Sequence, residues 1–183
     1  MSTGAKTVLL GVTGSIAAYK AADIASGLTK AGYAVCAIMT KAATEFITPL
    51  TLQTLTKGKV YTDMFEPVAY EDVRHISLAR RADLCLIAPA TANIIGKLAA
   101  GIADDMLSTV VMALRGVPVL ICPAMNTAMY ENPITQGNIE KLTAAGHRFV
   151  PPKESLLACG DLGRGALADI ETILAEARAL LEG

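Results

Sequence analysis

The stretch TVLLGVTGS at residues 7–15 decides how this chain folds. Its first part, Thr7–Val12, is an apolar run of strand length in which apolar and polar positions do not alternate. A strand that is apolar on both faces is typical of a parallel sheet covered by helices on both sides. A Gly-containing turn follows, and Ile16–Lys30 then carries Ala, Ile and Leu on one helical face and ends before Gly32. The segment therefore predicts a strand, a turn and a helix.

The same order of strand and helix recurs along the whole chain. Further strands are predicted at residues 33–39, 84–88, 117–122 and 147–150. Helices are predicted at residues 44–55 (broken by Pro49), 75–82, 92–100, 104–114, 133–145 and 170–181, with irregular chain at 57–73 and a loop at 151–165. We predict one domain over residues 1–183, a doubly wound parallel α/β sheet of the Rossmann or flavodoxin-like three-layer type. In such sheets, ligands bind outside the carboxyl ends of the strands.

The composition excludes several classes of protein. Hydrophobic residues make up 52% of the 183 residues and charged residues 18%, whereas a disordered chain combines low hydropathy with high charge. The 16 Lys and Arg residues balance 17 Asp and Glu residues, so the chain lacks the basic excess of a nucleic-acid binder. No apolar run approaches the length of about 18 residues that a membrane span needs, and the amino terminus lacks a secretory layout. We therefore expect a cytoplasmic protein that binds neither nucleic acid nor membrane.

The low charge and abundant alanine also predict an oligomer, because large apolar patches seldom stay exposed on a small protein. Three cysteines, Cys36, Cys85 and Cys122, lie in apolar, strand-like runs and are expected to be buried free thiols. The chain has no CxxC motif and no Cys/His cluster, so neither a metal site nor a disulfide framework is predicted.

Two motifs follow predicted strands directly. In GVTGSIA (residues 11–17), a Gly-rich turn before a helix presents backbone N–H groups to a phosphate, and Thr40 at the end of the next strand offers a second hydroxyl. In APATAN (residues 88–93), small residues let a flat ring approach the backbone beside Thr91. Both motifs have a purely structural alternative, because Ser15 and Thr91 are also favoured helix caps.

A third motif, PAMNTAMY (residues 123–130), follows the strand at 117–122. The amide of Asn126 can bind a carboxylate through its NH2 group or the edge of a ring through its carbonyl oxygen. The structural alternative is that Asn126 caps a helix while Met125 and Met129 form a core pair four residues apart.

Two further residues have side chains that can transfer protons. His75 opens a predicted helix, where its ring lies at the edge of an element and can titrate, although a lone His is also commonly structural. Cys159 lies among three glycines in ACGDLGRG, and the neighbouring Asp161 makes it a better proton donor than thiolate nucleophile. The alternative for Cys159 is an incidental thiol in a loop.

Taken together, these motifs resemble the flavin-containing cysteine decarboxylase family. The resemblance covers the chain from end to end: GVTGSIAAYK at 11–20, His75 followed by ISLARRAD, APATAN at 88–93, PAMNTAMYENP at 123–133 and ACGDLGRGAL at 158–167. Of these, the PAMNTAM and ACGD motifs are the most specific. The resemblance implies a homo-oligomer, either a trimer or a dodecamer assembled from trimers, with FMN and substrate held between subunits.

The resemblance also implies residue roles. FMN contacts fall on Gly14, Ser15, Thr40, Phe46, Pro89, Ala90, Thr91, Ala92 and Ala124. The implied catalytic residues are His75 as the base, Asn126 as the residue that binds the substrate carboxylate, and Cys159 as the acid that completes reduction. The remaining substrate contacts are Met129 and, near the phosphopantothenoyl end, Lys20 and Arg80.

The implied activity is the FMN-dependent decarboxylation of 4'-phosphopantothenoyl-L-cysteine to 4'-phosphopantetheine in coenzyme A biosynthesis. Cys159 favours this complete reaction over the oxidative decarboxylation of a peptide's C-terminal cysteine, the lantibiotic type. PAMNTAM argues against flavin prenyltransferases, and a regulatory FMN-binding subunit without catalysis is the remaining alternative. A phosphopantothenoylcysteine synthetase, fused to the chain or separate, is the expected partner.

Overall fold

The central feature of the fold is a parallel sheet of six strands. The computed structural model describes residues 4–65, 73–156 and 162–183. The sheet order is β3-β2-β1-β4-β5-β6, with every neighbouring pair parallel. The strands are β1 Thr7–Val12, β2 Ala34–Met39, β3 Val60–Tyr61, β4 Leu84–Ala90, β5 Val119–Pro123 and β6 Arg148–Phe149. The predicted doubly wound α/β class is confirmed.

Helices cover both faces of this sheet. They are α1 Ala21–Lys30, α2 Pro49–Thr56, α3 Arg74–Arg81, α4 Ala92–Ala100, α5 Met106–Ala113, α6 Thr127–Glu131, α7 Pro133–Ala144 and α8 Ile170–Glu182. Short 3-10 turns lie at Ile16–Lys20 and Ala43–Glu45. Within the described ranges, no helix combines the length and the apolar character that crossing a bilayer requires.

The alternation of side chains along the strands creates two separate cores. Val8 and Leu10 of β1 face a cluster built with α1, α2 and α8, while Leu9 faces the opposite cluster, which includes residues of α3, α4 and α5. Because successive strand residues point to opposite faces, a run that is apolar at every position is required for this double burial.

Helix α8 closes the first of these cores. Leu174 packs on Gly27 of α1, where an added Cβ would lie 2.6 Å from the leucine Cδ1. The Lys6 ammonium donates a hydrogen bond to the Leu181 carbonyl, so the end of α8 is joined to the chain just before β1. The last helix therefore ends beside the amino edge of the sheet.

The structure differs from the sequence-based expectation in several elements, one of which is α6, a helix of five residues that was not predicted. Residues 16–30 were expected to form one helix, but a 3-10 turn precedes α1. The expected loop at 151–165 contains an antiparallel hairpin, β7 Lys153–Leu156 and β8 Leu162–Ala166. Strand β3 was missed because two residues are too short to show a periodicity.

The sheet reverses its strand order between β1 and β4. From β1 the chain adds β2 and β3 on one side, then crosses over to place β4 on the other side of β1. This reversal leaves a crevice at the carboxyl ends of the two strands, which is where doubly wound sheets bind ligands.

Three free thiols lie in the strands, and burial makes them unreactive. Burial raises the pKa of Cys85 to about 12, and burial also raises the pKa of Cys122. Burial also raises the pKa of Cys36, although the nearby Arg81 guanidinium opposes this effect. We expect Cys36, Cys85 and Cys122 to resist a maleimide in the native protein at pH 8 and to react after unfolding in urea, because the thiolate is the reactive form. Peptide mapping by mass spectrometry checks this, and rapid native labelling of Cys85 would contradict it.

Candidate functional site

A cavity of about 550 Å³ lies at the carboxyl edge of the sheet. Its walls are the turn and 3-10 segment after β1, Thr91 after β4, the segment Ala124–Met129 after β5, and residues of the β7–β8 hairpin. The cavity therefore occupies the point where strand order reverses. Its volume falls within the range of about 300–1,000 Å³ that is usual for small-molecule and cofactor sites.

The turn after β1 is held tightly by its own backbone. The Ser15 N–H donates to the Thr13 carbonyl at 2.8 Å, and the Ser15 carbonyl accepts from the Ala18 N–H at 2.8 Å. Gly14 is required here, because an added Cβ would lie 2.4 Å from the Cβ of Ala42. The turn therefore packs directly on the segment after β2, and the start of a helical segment is directed at the cavity.

Three of the polar residues in the walls act as caps. The Ser15 hydroxyl accepts from the Ala17 N–H at 3.3 Å at the start of the first 3-10 turn, and the other two, Thr91 and Asn126, cap α-helices. The Thr91 hydroxyl accepts from the Ile94 N–H at 3.4 Å at the start of α4. The Asn126 carbonyl oxygen accepts from the Ala128 N–H at 2.8 Å at the start of α6, which turns Nδ2 into the donor end of this side chain. The capping and ligand-binding interpretations are thus compatible, since both residues cap a helix and line the cavity.

The two methionines of PAMNTAM have different environments. Met125 is half-buried and packs against the core cluster on the α3, α4 and α5 face. Met129, in contrast, is exposed over about half of its surface, although both methionines contribute to the cavity wall. The proposed core pair therefore does not form, and Met129 is available to a ligand.

The charge of the cavity favours an anion. Among the lining residues within the described ranges, Lys20 is the one charged side chain, and no carboxylate is present. The polar side chains beside it are the hydroxyls of Ser15, Tyr19, Thr91 and Ser155 and the Asn126 amide. Apolar side chains cover much of the remaining wall, and Ile16 and Tyr19 are 60% and 58% exposed at its edge.

The hairpin packs directly against the segment after β5 at two glycines of β8. The Met125 N–H donates to the Gly165 carbonyl at 3.0 Å. A Cβ on Gly165 would lie 2.2 Å from the Met125 carbonyl oxygen, and a Cβ on Gly163 would lie 2.3 Å from the Thr127 hydroxyl oxygen. These two positions share one face of β8, so the strand lies flush against the Asn126 segment.

Replacing Gly165 by Ala is expected to displace the hairpin from the segment after β5, because the Met125 backbone carbonyl cannot move aside without a large cost in free energy. We expect the free energy of unfolding to fall by about 1–3 kcal/mol, as for other overpacked sites. Urea denaturation of the variant measures this. Gly137→Ala in α7 is the matched control: nothing lies within 4 Å of its added Cβ, so this variant should be as stable as the wild type or more so. Equal stability of the two variants would contradict the close contact between Gly165 and the Met125 carbonyl.

The structure brings together seven of the residues expected at the site: Gly14, Ser15, Lys20, Thr91, Ala124, Asn126 and Met129. Other expected contacts lie next to the cavity without lining it. Pro89 and Ala90 are buried in β4, Ala92 faces an adjacent groove between α4 and α7, and Thr40 is joined to the β1 turn through its N–H and the Val12 carbonyl at 3.0 Å.

Three expected residues lie away from this cavity in the single chain. His75 is half-buried and Arg80 is exposed, both on α3, while Phe46 is 48% exposed after the second 3-10 turn. None of these three lines the cavity as the described residues form it. Cys159 and its neighbour Asp161 lie outside the described residues.

Sequence reasoning missed several wall residues, most of them apolar. Ile16, Tyr19 and Leu167 gave no signal, because apolar residues in helical or loop segments indicate packing before ligand contact. Ser155 and Leu156 were missed because their hairpin was expected to be a loop. The sequence did offer one indication that Ile16 and Tyr19 line a site: they directly follow GVTGS, which lies at the carboxyl end of a predicted strand.

Comparisons with known proteins agree with this geometry. A probable phosphopantothenoylcysteine decarboxylase of Streptococcus mutans is 54% identical over 92% of this chain and 95% of its own length. The coenzyme A biosynthesis bifunctional protein CoaBC of Bacillus subtilis is 48% identical over 92% of this chain, which spans only 41% of that protein.

Solved structures share the fold along nearly the full length. A Cys-to-Ser mutant of PPC decarboxylase complexed with pantothenoylaminoethenethiol matches with a TM-score of 0.91 and 35% identity, covering 98% of this chain and 100% of that one. The FMN-dependent cysteine decarboxylase SpaF matches with a TM-score of 0.84 and 32% identity, covering 97% of this chain and 96% of its own. The model of the flavoprotein family matches residues 1–182. The chain therefore belongs to the flavoprotein family.

Proposed function

We propose that this protein catalyses the FMN-dependent decarboxylation of 4'-phosphopantothenoyl-L-cysteine to 4'-phosphopantetheine in coenzyme A biosynthesis. The observation that carries this proposal is that the Ser15 turn and the Asn126 amide line the same cavity. One is suited to a phosphate and the other to a carboxylate. Relatives at 54% and 48% identity carry names from the same reaction and pathway.

The residues of the cavity fit FMN. A phosphate suits the β1 turn, because that turn combines backbone N–H groups and the Ser15 hydroxyl with a cavity free of carboxylates in its described lining. A flat ring suits the apolar surfaces of Ile16, Tyr19 and Met129. Gly14, Ser15, Thr91 and Ala124 would hold the cofactor directly, with Thr40, Pro89, Ala90 and Ala92 behind or beside them.

When bound, FMN supplies the reversible two-electron chemistry that loss of CO2 from an unactivated cysteine carboxylate requires. The chain supplies orientation. Asn126 Nδ2 donates to the substrate carboxylate, since the Ala128 N–H already fixes the carbonyl oxygen of this amide. Met129 covers the adjacent apolar part of the substrate, and Lys20 attracts its phosphate end.

A second copy of the chain completes the site. His75, Arg80 and Phe46 belong to the implied machinery, yet none of them lines the cavity of its own chain among the described residues. The exposed Ile16 and Tyr19 at the cavity edge supply an apolar surface for another subunit to cover. We therefore propose a homo-oligomer, a trimer or an assembly of trimers, in which His75 of one subunit acts as the base at the cavity of the next.

Cys159 is proposed as the proton donor of the last, reductive step. In the PPC decarboxylase structure named above, a Cys-to-Ser mutant holds an ethenethiol, which is what a decarboxylase without its reductive acid would leave. The free thiols of Cys36, Cys85 and Cys122 suit the reducing cytoplasm, where we place the protein. A phosphopantothenoylcysteine synthetase, separate or fused as in the bifunctional relatives, would supply the substrate.

The test is a spectrum followed by a product assay. The purified protein should show the absorbance bands of an oxidised flavin, and acid should release FMN that chromatography identifies. Incubation with phosphopantothenoylcysteine should then yield CO2 and phosphopantetheine. A protein that cannot bind FMN, or one that binds FMN without consuming the substrate, would refute the proposal.

A further inference from the structure

We propose that Thr13 is a positioning residue that joins the two turns on which FMN rests, an inference that depends on the proposed function. Thr13 lies between β1 and Gly14 but does not line the cavity. Its side chain is 1% exposed, and it is one of few buried polar residues among those that the structure describes. A buried hydroxyl needs partners, and the identity of these partners reveals its role.

The two partners of the Thr13 hydroxyl lie at the carboxyl end of β4 and directly after it. The hydroxyl donates to the Pro89 carbonyl at 2.8 Å and accepts from the Thr91 N–H at 3.0 Å. One side chain thus spans the segment from Pro89 to Thr91. The Pro89 nitrogen has no hydrogen to donate, so this segment has one fewer backbone donor of its own for bonding to a neighbour.

These two bonds of the Thr13 hydroxyl, here called the Thr13 bridge, connect β1 and β4 beyond the last backbone pair between the two strands. Strands β1 and β4 are paired from Val8 and Leu84 up to Gly11 and Ile87. Past that point β4 bonds toward β5, where the Ala124 N–H donates to the Ala90 carbonyl at 3.0 Å. The Thr13 hydroxyl therefore links the turn after β1 to the end of β4 at the point where backbone pairing between β1 and β4 stops.

The two linked turns contact different parts of the ligand. Gly14 and Ser15 present the phosphate-binding turn, while Thr91 lines the cavity from the end of β4. A flexible ribityl chain joins the phosphate and the ring of FMN, so FMN binds most tightly when the two turns are already held at one separation before it arrives. Thr13 sets this separation through two directional bonds, and it does so without touching the ligand.

Removing the hydroxyl while keeping the shape tests this role. In Thr13→Val, the Pro89 carbonyl and the Thr91 N–H lose their partner in a buried region, and we expect FMN to bind about tenfold more weakly. Thr13→Ser retains the hydroxyl, so its FMN affinity should stay within about twofold of the wild type. Fluorescence titration of flavin-free protein with FMN measures both, and the FMN release rate on dilution gives a second value.

The matched control is Thr29→Val in α1. This variant also removes a threonine hydroxyl, one that donates to the Ala25 carbonyl at 2.8 Å, but near the far end of the helix from the cavity. It should lower thermal stability without changing FMN affinity. A purely structural role for Thr13 would give the same pattern in Thr13→Val: a lower Tm with a wild-type FMN dissociation constant. That result would overturn the proposal, as would equally weak binding by Thr13→Ser.

A measurement on the unaltered chain decides the matter if Thr13→Val does not fold. The proposal requires the bridge to exist before FMN binds, so the Thr91 amide hydrogen should exchange slowly in flavin-free wild-type protein, as strand amides do. Exchange at the rate of an unprotected amide would overturn the proposal. Failure of the wild type to bind FMN would refute the proposed function and this inference together, whereas normal wild-type binding with an unaffected Thr13→Val refutes the inference alone.

Discussion

Replacing His75 by Asn should abolish turnover while the protein keeps its flavin. Loss of a general base typically lowers kcat by about a hundredfold to ten-thousandfold. Because Asn keeps a polar side chain of similar size at this position, FMN affinity should change little. Steady-state decarboxylation rates and a flavin titration of the variant check both halves of this prediction. A fully active His75→Asn enzyme would show that His75 is not the base and has a structural role instead.

Mixed oligomers test whether the site is shared between subunits. Asn126→Ala, which removes the carboxylate donor, should be inactive alone, as should His75→Asn. When the two variants are co-expressed, sites that take His75 from one subunit and Asn126 from the other regain both groups, and about a quarter of wild-type activity should return with random mixing. If both residues served the same chain's site, co-expression would restore nothing, because every chain carries one defect.

Replacing Cys159 by Ser should change the product instead of stopping the reaction. Oxidative decarboxylation removes CO2 together with two hydrogen atoms, as a hydride and a proton, and leaves an ethenethiol. Both must be returned to complete phosphopantetheine: bound reduced FMN would supply the hydride, and the thiol of Cys159 is proposed to supply the proton. The variant should release the ethenethiol, lighter by two hydrogens, and the absorbance of its oxidised flavin should fade without recovery. Mass spectrometry of the product and a flavin spectrum during turnover measure these effects.

The matched control for Cys159→Ser is Cys36→Ala, which removes a thiol outside the cavity lining. It should yield normal phosphopantetheine. Phosphopantetheine at the wild-type yield from Cys159→Ser would refute the role of Cys159 as the acid. An ethenethiol product from the wild type itself would instead favour the oxidative reaction of the peptide cysteine decarboxylases.

The sequence predicted the sheet well because the evidence lay in individual strands. Val8, Leu9 and Leu10 are all fully buried, as a strand apolar at consecutive positions requires. The hairpin β7–β8 could not be predicted in the same way. Its glycines at 163 and 165 look like loop residues, and their real cause is the close approach of the Met125 and Thr127 segment, which is distant in sequence.

The candidate site was predictable where polar residues directly follow apolar strands, as Ser15, Thr91 and Asn126 do. The apolar walls were not, because a residue such as Tyr19 has the same signature whether it packs against protein or against a ligand. The location of His75 relative to the cavity also had no local signal. In the proposed oligomer its partner groups lie on another subunit, and no periodicity within one chain encodes that packing.

The bond between Lys6 and the end of α8 has a practical consequence. It places the final residues beside the amino edge of the sheet, whereas the cavity opens at the carboxyl edge. A fluorophore or a surface tether attached after Gly183 would therefore be separated from bound ligand by the thickness of the domain. Immobilised protein should keep its cavity accessible, which makes attachment at this end suitable for recording flavin exchange on a sensor surface.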